Sequence, residues 1–297
     1  MTSSIAVSLN KLTKNYGTTR GITEVSFDVL HGEVMGFLGP NGAGKTTAIR
    51  TLLGLIKATS GTATILGVNA LVPDIGLRRK IGYLPGIAAT YDRFTARGYL
   101  QFIAHMRKLN LDKQIYRYAK RLDLDLDQHI HDLSKGNRQK VSVIQAFMHS
   151  PEVFFLDEPT SGLDPLVQRE FKLMLDEVRE RGAAVILSSH VLSEIENLAD
   201  RVAIIDQGRL VVVDEIESLR AKARRRIELF FDHPIHNSDF LKVPNIKEIQ
   251  AMDGSLTCVV TGSENELLKR AVELGVNQVK TEESSLEEIF LGLVKAS

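Results

Sequence analysis

An α/β fold centred on a parallel sheet is the architecture that this 297-residue sequence predicts, on three observations. The run Gly39-Pro-Asn-Gly-Ala-Gly-Lys-Thr46 matches the G-x-x-x-x-G-K-[ST] phosphate-binding pattern. It stands between a short apolar stretch, Glu33–Leu38, and a stretch with apolar residues at helical spacing, Thr47–Ile56. Near-continuous apolar runs recur at Val153–Leu156, Ala184–Leu187 and Val202–Ile205, the composition of strands covered on both faces. Helical patterns at about 165–181 and 191–199 separate those runs, which gives the α/β order.

Residues 5–30 alternate apolar and polar positions, as in Ile5–Leu9 and Val25–Val29, and predict antiparallel strands with one wet face. Two further short strands are expected at Thr62–Leu66 and Ile81–Leu84. From about residue 94 to 149 the pattern turns helical, with Tyr99, Phe102, Ile103 and Met106 expected on one face and Val141, Ile144 and Phe147 on another. The basic stretch Ser218–Arg226 reads as a solvated connecting helix. Beyond it, strand-like pieces at Ile227–Phe231 and Leu256–Val260, a helix at about 264–274, a strand near 276–280 and a final helix at 285–295 suggest a small α+β domain.

Bulk properties exclude several classes. Lys+Arg and Asp+Glu both number 37, so net charge points to neither nucleic acid nor an acidic partner. The single cysteine, Cys258, rules out an internal disulfide framework and suits a reducing compartment. No signal peptide is visible at the N-terminus, and no window approaches the roughly 18–20 apolar residues of a membrane span. A soluble intracellular protein is expected, able to sit against a membrane through a partner.

In the phosphate loop, Gly42 and Gly44 let the backbone curl so that successive N–H groups point at phosphate oxygens, and the helix beginning near Lys45 adds its positive dipole end. Lys45 would neutralise the β- and γ-phosphates, and the Thr46 hydroxyl would hold Mg2+. The apolar strand Val153–Leu156 ends in Asp157 and Glu158, two carboxylates that are costly to bury unless they meet a cation or a hydrogen bond. Asp157 is placed to reach Mg2+ through its water shell, and Glu158 to act as general base toward the attacking water. Leu133–Lys140 opens another helix: Ser134 is a good N-cap and Gly136 allows close backbone approach, a helix start suited to an anion.

The order GPNGAGKT, LSKGN, FFLDEP, SGLD and SSH resembles the ATPase subunit of an ATP-binding cassette (ABC) transporter over residues 5 to about 215. One cassette followed by a small C-terminal domain ending Ser285-Leu-Glu-Glu-Ile-Phe290 resembles the branch serving drug, antibiotic or polymer efflux. The resemblance implies a P-loop NTPase core with an antiparallel β-subdomain and an α-helical subdomain, together making a nucleotide-binding domain over 1–216 (helices at about 94–149). A small C-terminal α+β accessory domain follows over 217–297. It implies ATP and Mg2+ as ligands, with Gly39, Pro40, Asn41, Gly42, Ala43, Gly44, Lys45, Thr46 and Thr47 cradling the nucleotide and Thr46 and Asp157 serving the metal. It also implies a head-to-tail dimer, with itself or a sister chain, in which Ser134 and Gly136 of one subunit contact the γ-phosphate held by the other's Lys45. Asp164, in Ser161–Asp164, would belong to the loop linking the two sites. His190 resembles the switch histidine that contacts the γ-phosphate, and Tyr16 the aromatic residue that stacks on adenine.

The sequence departs from the family pattern in two places. Lys135 and Asn137 stand where the signature has Gly and Gln, a variation familiar in the efflux branch when Gln139-Lys140 follows. Gly86 stands where the family places a glutamine that touches Mg2+ and the membrane partner. Thr46, water and Asp157 are therefore expected to carry coordination, with Gly86 contributing only flexibility. The implied function is ATP hydrolysis driving a separate membrane permease, with export expected, the permease docking near the 94–149 region. The chain is expected to be peripheral on the inner face of the cell membrane, and no nucleic acid is expected as partner. The alternatives are an importer subunit, a soluble ABC-type ATPase acting on ribosomes or nucleic acid, and a regulator that binds ATP without hydrolysing it.

Overall fold

The computed structural model describes residues 4–17, 19–87, 91–222, 224–261 and 263–283. The chain divides into two compact units, Met1–Val213 and Asp214–Ser297. The expected helix at 285–295 lies outside the described residues.

In the first unit, β1 (Ile5–Tyr16) and β2 (Thr19–Leu30) form an antiparallel hairpin. After β3 (Val34–Leu38) and α1 (Lys45–Leu52), β4 (Ser60–Ile65) and β5 (Val68–Asn69) complete a four-stranded sheet in the order β2-β1-β4-β5. The expected alternation is only partly kept, because the hairpin register shifts between Leu9 and Leu12 and twice more before Tyr16. Each shift carries side chains to the other face.

Next come α2 (Ile75–Arg79), β6 (Ile81–Leu84), α3 (Ala96–Met106), α4 (Asp112–Arg121), a 3-10 turn at Ile130–Asp132 and α5 (Lys135–Phe147). On α3 the buried residues are Ala96, Tyr99, Leu100 and Ala104, whereas Phe102 and Met106 are exposed. The four expected residues do lie on α3, but of them Tyr99 is the one that is buried: helical spacing identifies a stripe but not which of two neighbouring apolar stripes meets the core. On α5, Val141, Ile144 and Phe147 are buried as expected.

The main sheet adds β7 (Val153–Asp157), β8 (Ala184–Ser189), β9 (Arg201–Asp206) and β10 (Arg209–Glu215), with α6 (Pro165–Glu180) and α7 (Leu192–Leu198) between strands. Its order is β10-β9-β3-β8-β7-β6, and β6, β7, β8, β3 and β9 run parallel. Every residue of β3, β7 and β8 is buried, which is why these strands read as unbroken apolar runs. Met35, Phe37, Ile49, Leu52, Phe155 and Ile186 share one core. Register then does the functional work: Leu38 pairs with Ser189 and Asp157 with Ser188, so three strand ends lie side by side.

The second unit opens with α8 (Ile216–Lys222), so the basic stretch is only partly a helix; β11 (Arg224–Phe231) takes its last residues. A 3-10 turn (Asn237–Phe240), β12 (Ile246–Met252), β13 (Ser255–Thr261), α9 (Asn265–Glu273) and β14 (Val276–Glu283) follow, in a sheet ordered β12-β13-β11-β14. Ile227, Leu229, Leu256, Cys258, Leu267 and Ala271 are among its core residues. No helix among the described residues is long and apolar enough to cross a membrane.

Candidate functional site

The phosphate loop leaves the end of β3 and turns into α1. Gly42 has φ +82° and Gly44 φ +110°, values that side chains rarely tolerate, and a Cβ on Gly44 would also lie 2.8 Å from Ile22 Cγ2. Gly44 is the N-cap of α1 and supplies no side-chain acceptor, so the first-turn N–H groups remain open to an anion. Lys45 is buried; its Nζ donates to Gly39 O (2.5 Å) and Pro40 O (3.3 Å) and stands 3.6 Å from Glu158 Oε1. Burial lowers its pKa, against the pull of the Glu158 and Asp157 carboxylates.

The end of β7 brings two acids to this lysine. Asp157, 1% exposed, accepts from Thr46 Oγ1 at 2.7 Å and from Ser188 Oγ at 2.5 Å. Thr46 and Asp157 thus present adjacent hard oxygen donors. Among the described residues no cluster of three or more His, Cys, Asp or Glu could hold a metal. That donor set fits a Mg2+ ion that takes its remaining ligands from phosphates and water. A Cβ on Gly86 would lie 3.2 Å from Asp157 Oδ2, so the backbone there passes against the acid.

Glu158 has φ +51°, a left-handed conformation uncommon outside glycine. Its N–H donates to Ser188 O and Ser188 Oγ, both at 3.2 Å. Besides Lys45, its carboxylate meets His190 Nδ1 at 2.8 Å, just past the end of β8. Lys45, Thr46, Asp157, Glu158 and His190 are therefore joined in one network.

Ser134, Gly136 and Asp164 stand apart from it. Ser134 Oγ caps α5 by accepting from Asn137 N at 3.2 Å, and Asp164 Oδ1 caps α6 by accepting from Leu166 N and Val167 N. Neither is hydrogen bonded to the phosphate loop among the described residues. A Cβ on Gly136 would lie 2.6 Å from Gly162 O, and the Lys135 stem packs over Gly162, so the start of α5 and the 161–164 loop touch within one chain. Tyr16 is 44% exposed at the end of β1 with Lys14 Nζ 4.9 Å from its ring centre. It nears the phosphate loop through Gly21, whose Cβ would meet Tyr16 Cδ2 at 3.4 Å and whose carbonyl lies 3.3 Å from a Cβ on Gly44.

Two residues without an assigned role from sequence belong here. Ser188 was part of the SSH run, and a serine closing a buried apolar strand was the signal. Gln139 is buried and donates to Glu158 O (3.2 Å) and Pro159 O (3.0 Å); its signal was the Gln139-Lys140 pair that follows the signature, which named no role for it.

Residues 22–161 match the family described as ABC transporter. The bacitracin transport ATP-binding protein BcrA of Bacillus licheniformis is 34% identical over 98% of both chains. The probable multidrug ABC transporter ATP-binding protein YbhF of Escherichia coli K12 is 33% identical over 73% of this chain and 38% of its own length. A solved ATP-binding subunit of an ABC transporter superposes with a TM-score of 0.67 at 28% identity, over 72% of this chain and 92% of that one. The dimeric bacterial ABC transporter cassette MJ0796 shares the fold, with a TM-score of 0.65 at 20% identity over 71% and 98% of the two chains.

Proposed function

This chain belongs to the ATP-binding subunits of ABC transporters, which are ATPases, and from that premise we propose that it pairs head-to-tail with a like chain to drive export through a separate membrane permease. The observation that carries the reading is a division of labour. Lys45, Thr46, Asp157, Glu158 and His190 converge at the ends of β3, β7 and β8, while Ser134 and Gly136 sit on a helix start that no described hydrogen bond joins to them. Gln139, farther along α5, bonds to the Glu158 carbonyl, but Ser134 and Gly136 themselves share no described hydrogen bond with the cluster. That supports half a site in each chain and a second chain that supplies the other half.

Lys45 rests on the carbonyls of its own loop and against Glu158. ATP phosphates would take over the Lys45 ammonium and the open N–H groups of α1, freeing Glu158 to accept a proton from the attacking water. His190 would orient that carboxylate and meet the γ-phosphate. A Mg2+ ion held near Thr46 and Asp157 would neutralise charge on the β- and γ-phosphates. Transport of an antibiotic is supported by the BcrA relative, named for bacitracin transport, whose likeness spans both units of this chain, and an antibiotic as cargo favours export. Docking of the permease on the helical region is supported by the exposed rings of Tyr91, Phe94 and Phe102, whose centres lie within 6.3 Å of one another.

Glu158→Gln tests the central claim. Turnover should fall at least ~100-fold, the scale for removing a positioned general base, while ATP binding persists and a dimer accumulates with ATP in light scattering. An unaltered rate would remove Glu158 from the mechanism.

A further inference from the structure

We propose that Gln139 is a positioning residue for Glu158: its side-chain amide holds the base in a backbone conformation that the residue does not adopt by itself. This rests on the reading of Glu158 as the base.

Glu158 is left-handed at φ +51°, and Pro159 after it narrows its allowed backbone further. Such a conformation persists only where the surroundings over-determine it. Here they do. On the amide side, Glu158 N–H is held by the Ser188 carbonyl and hydroxyl. On the carbonyl side, Glu158 O accepts from Ser161 N and from Gln139 Nε2, both at 3.2 Å, and the same Nε2 donates to Pro159 O at 3.0 Å. Two carbonyl acceptors fix which end of the Gln139 amide faces the loop, because only the NH2 group can serve both.

Gln139 is itself buried, and deleting its donors takes from the buried Pro159 carbonyl a hydrogen bond and leaves Glu158 O with Ser161 N. The loop would then relax from its left-handed turn, and the Glu158 carboxylate would leave its place beside Lys45 and His190. Among the described residues no hydrogen bond or ion pair joins Gln139 to the phosphate loop, so nucleotide binding should not feel the change. That separation distinguishes positioning from general damage.

Gln139→Met keeps the length of the side chain and removes the donor; Gln139→Glu keeps the size and turns an acceptor toward the carbonyls. In the full chain each should lower kcat ~10-fold or more, the scale of a small misplacement of a reacting group, with the ATP dissociation constant within twofold of wild type. Ser142→Ala, on the same helix with its hydroxyl bonded among the described residues to Arg138 O, should keep wild-type kcat. In a Glu158→Gln background Q139M should add no further loss, since no base remains to be placed. Turnover that survives E158Q overturns the base and this proposal with it. Turnover lost in E158Q but kept in a folded Q139M or Q139E overturns Gln139 alone, as does a loss of ATP affinity that matches the loss of kcat.

Discussion

Asp157 accepts two hydroxyls and has the Gly86 backbone against its carboxylate, and each partner was legible to a different degree. Thr46 lies inside a local motif whose spacing states its chemistry. Ser188 is 31 positions away and reaches the acid only because β7 and β8 pair in register, which a sequence does not display. Gly86 read as an absent ligand, but the close approach to Asp157 is a property of tertiary packing. With a Cβ contact at 3.2 Å, the neighbour must give by a few tenths of an ångström. Gly86→Ala should therefore crowd the carboxylate and lower Mg2+-dependent turnover several-fold, roughly 2–10, with Mg2+-free nucleotide binding unchanged. A Mg2+ titration of ATP hydrolysis checks this, and an unshifted curve at wild-type rate would show that the backbone has room to spare.

Elements buried on both faces were the most legible: β3, β7 and β8 announce themselves as apolar runs. Among edge strands, β6 and β14 were read from sequence but β12 was not. β12 carries Lys247, Glu248 and Gln250, is an edge strand paired with β13 among the described residues and slips register between Lys247 and Gln250, so its pattern never repeats long enough to be read. The junction of α5 with β6 adds a pH device that sequence also hides. His149, just past the end of α5, has its ring Nε2 3.0 Å from Ile81 O, the first residue of β6. Burial, reinforced by the Arg107 charge, lowers its pKa to about 4 from the ordinary 6.5, against hydrogen bonds to the Ile81 and Gln145 backbone. Between those two values the unfolded chain binds one more proton than the folded one, so stability rises with pH there and is lost as pH falls from 6.5 toward 4. His149→Gln should flatten the pH dependence of urea unfolding, followed by circular dichroism, by on the order of 2–3 kcal/mol across that window. A slope equal to that of wild type would mean that His149 is free to charge in the folded state.

At the scale of the whole molecule, one chain supplies Lys45 and the acids at one place and the Ser134–Gly136 helix start at another, and the proposed pairing to complete a site is invisible in a single sequence or fold. Complementation exposes it. Lys45→Ala removes the phosphate cation, and Ser134→Arg sets a bulky charge at the start of α5 while costing only a cap worth about 1 kcal/mol. Each variant alone should be inactive. In a mixed dimer closed head-to-tail, one site carries both lesions and the other carries neither. Mixing the two dead proteins should then restore about a quarter of the intact sites, since half of randomly formed dimers are mixed and each holds one whole site. If each chain built its site from its own Ser134, every site in the mixture would keep one lesion and activity would stay at zero. ATP hydrolysis measured after mixing, against the sum of the separate variants, decides between one chain per site and two.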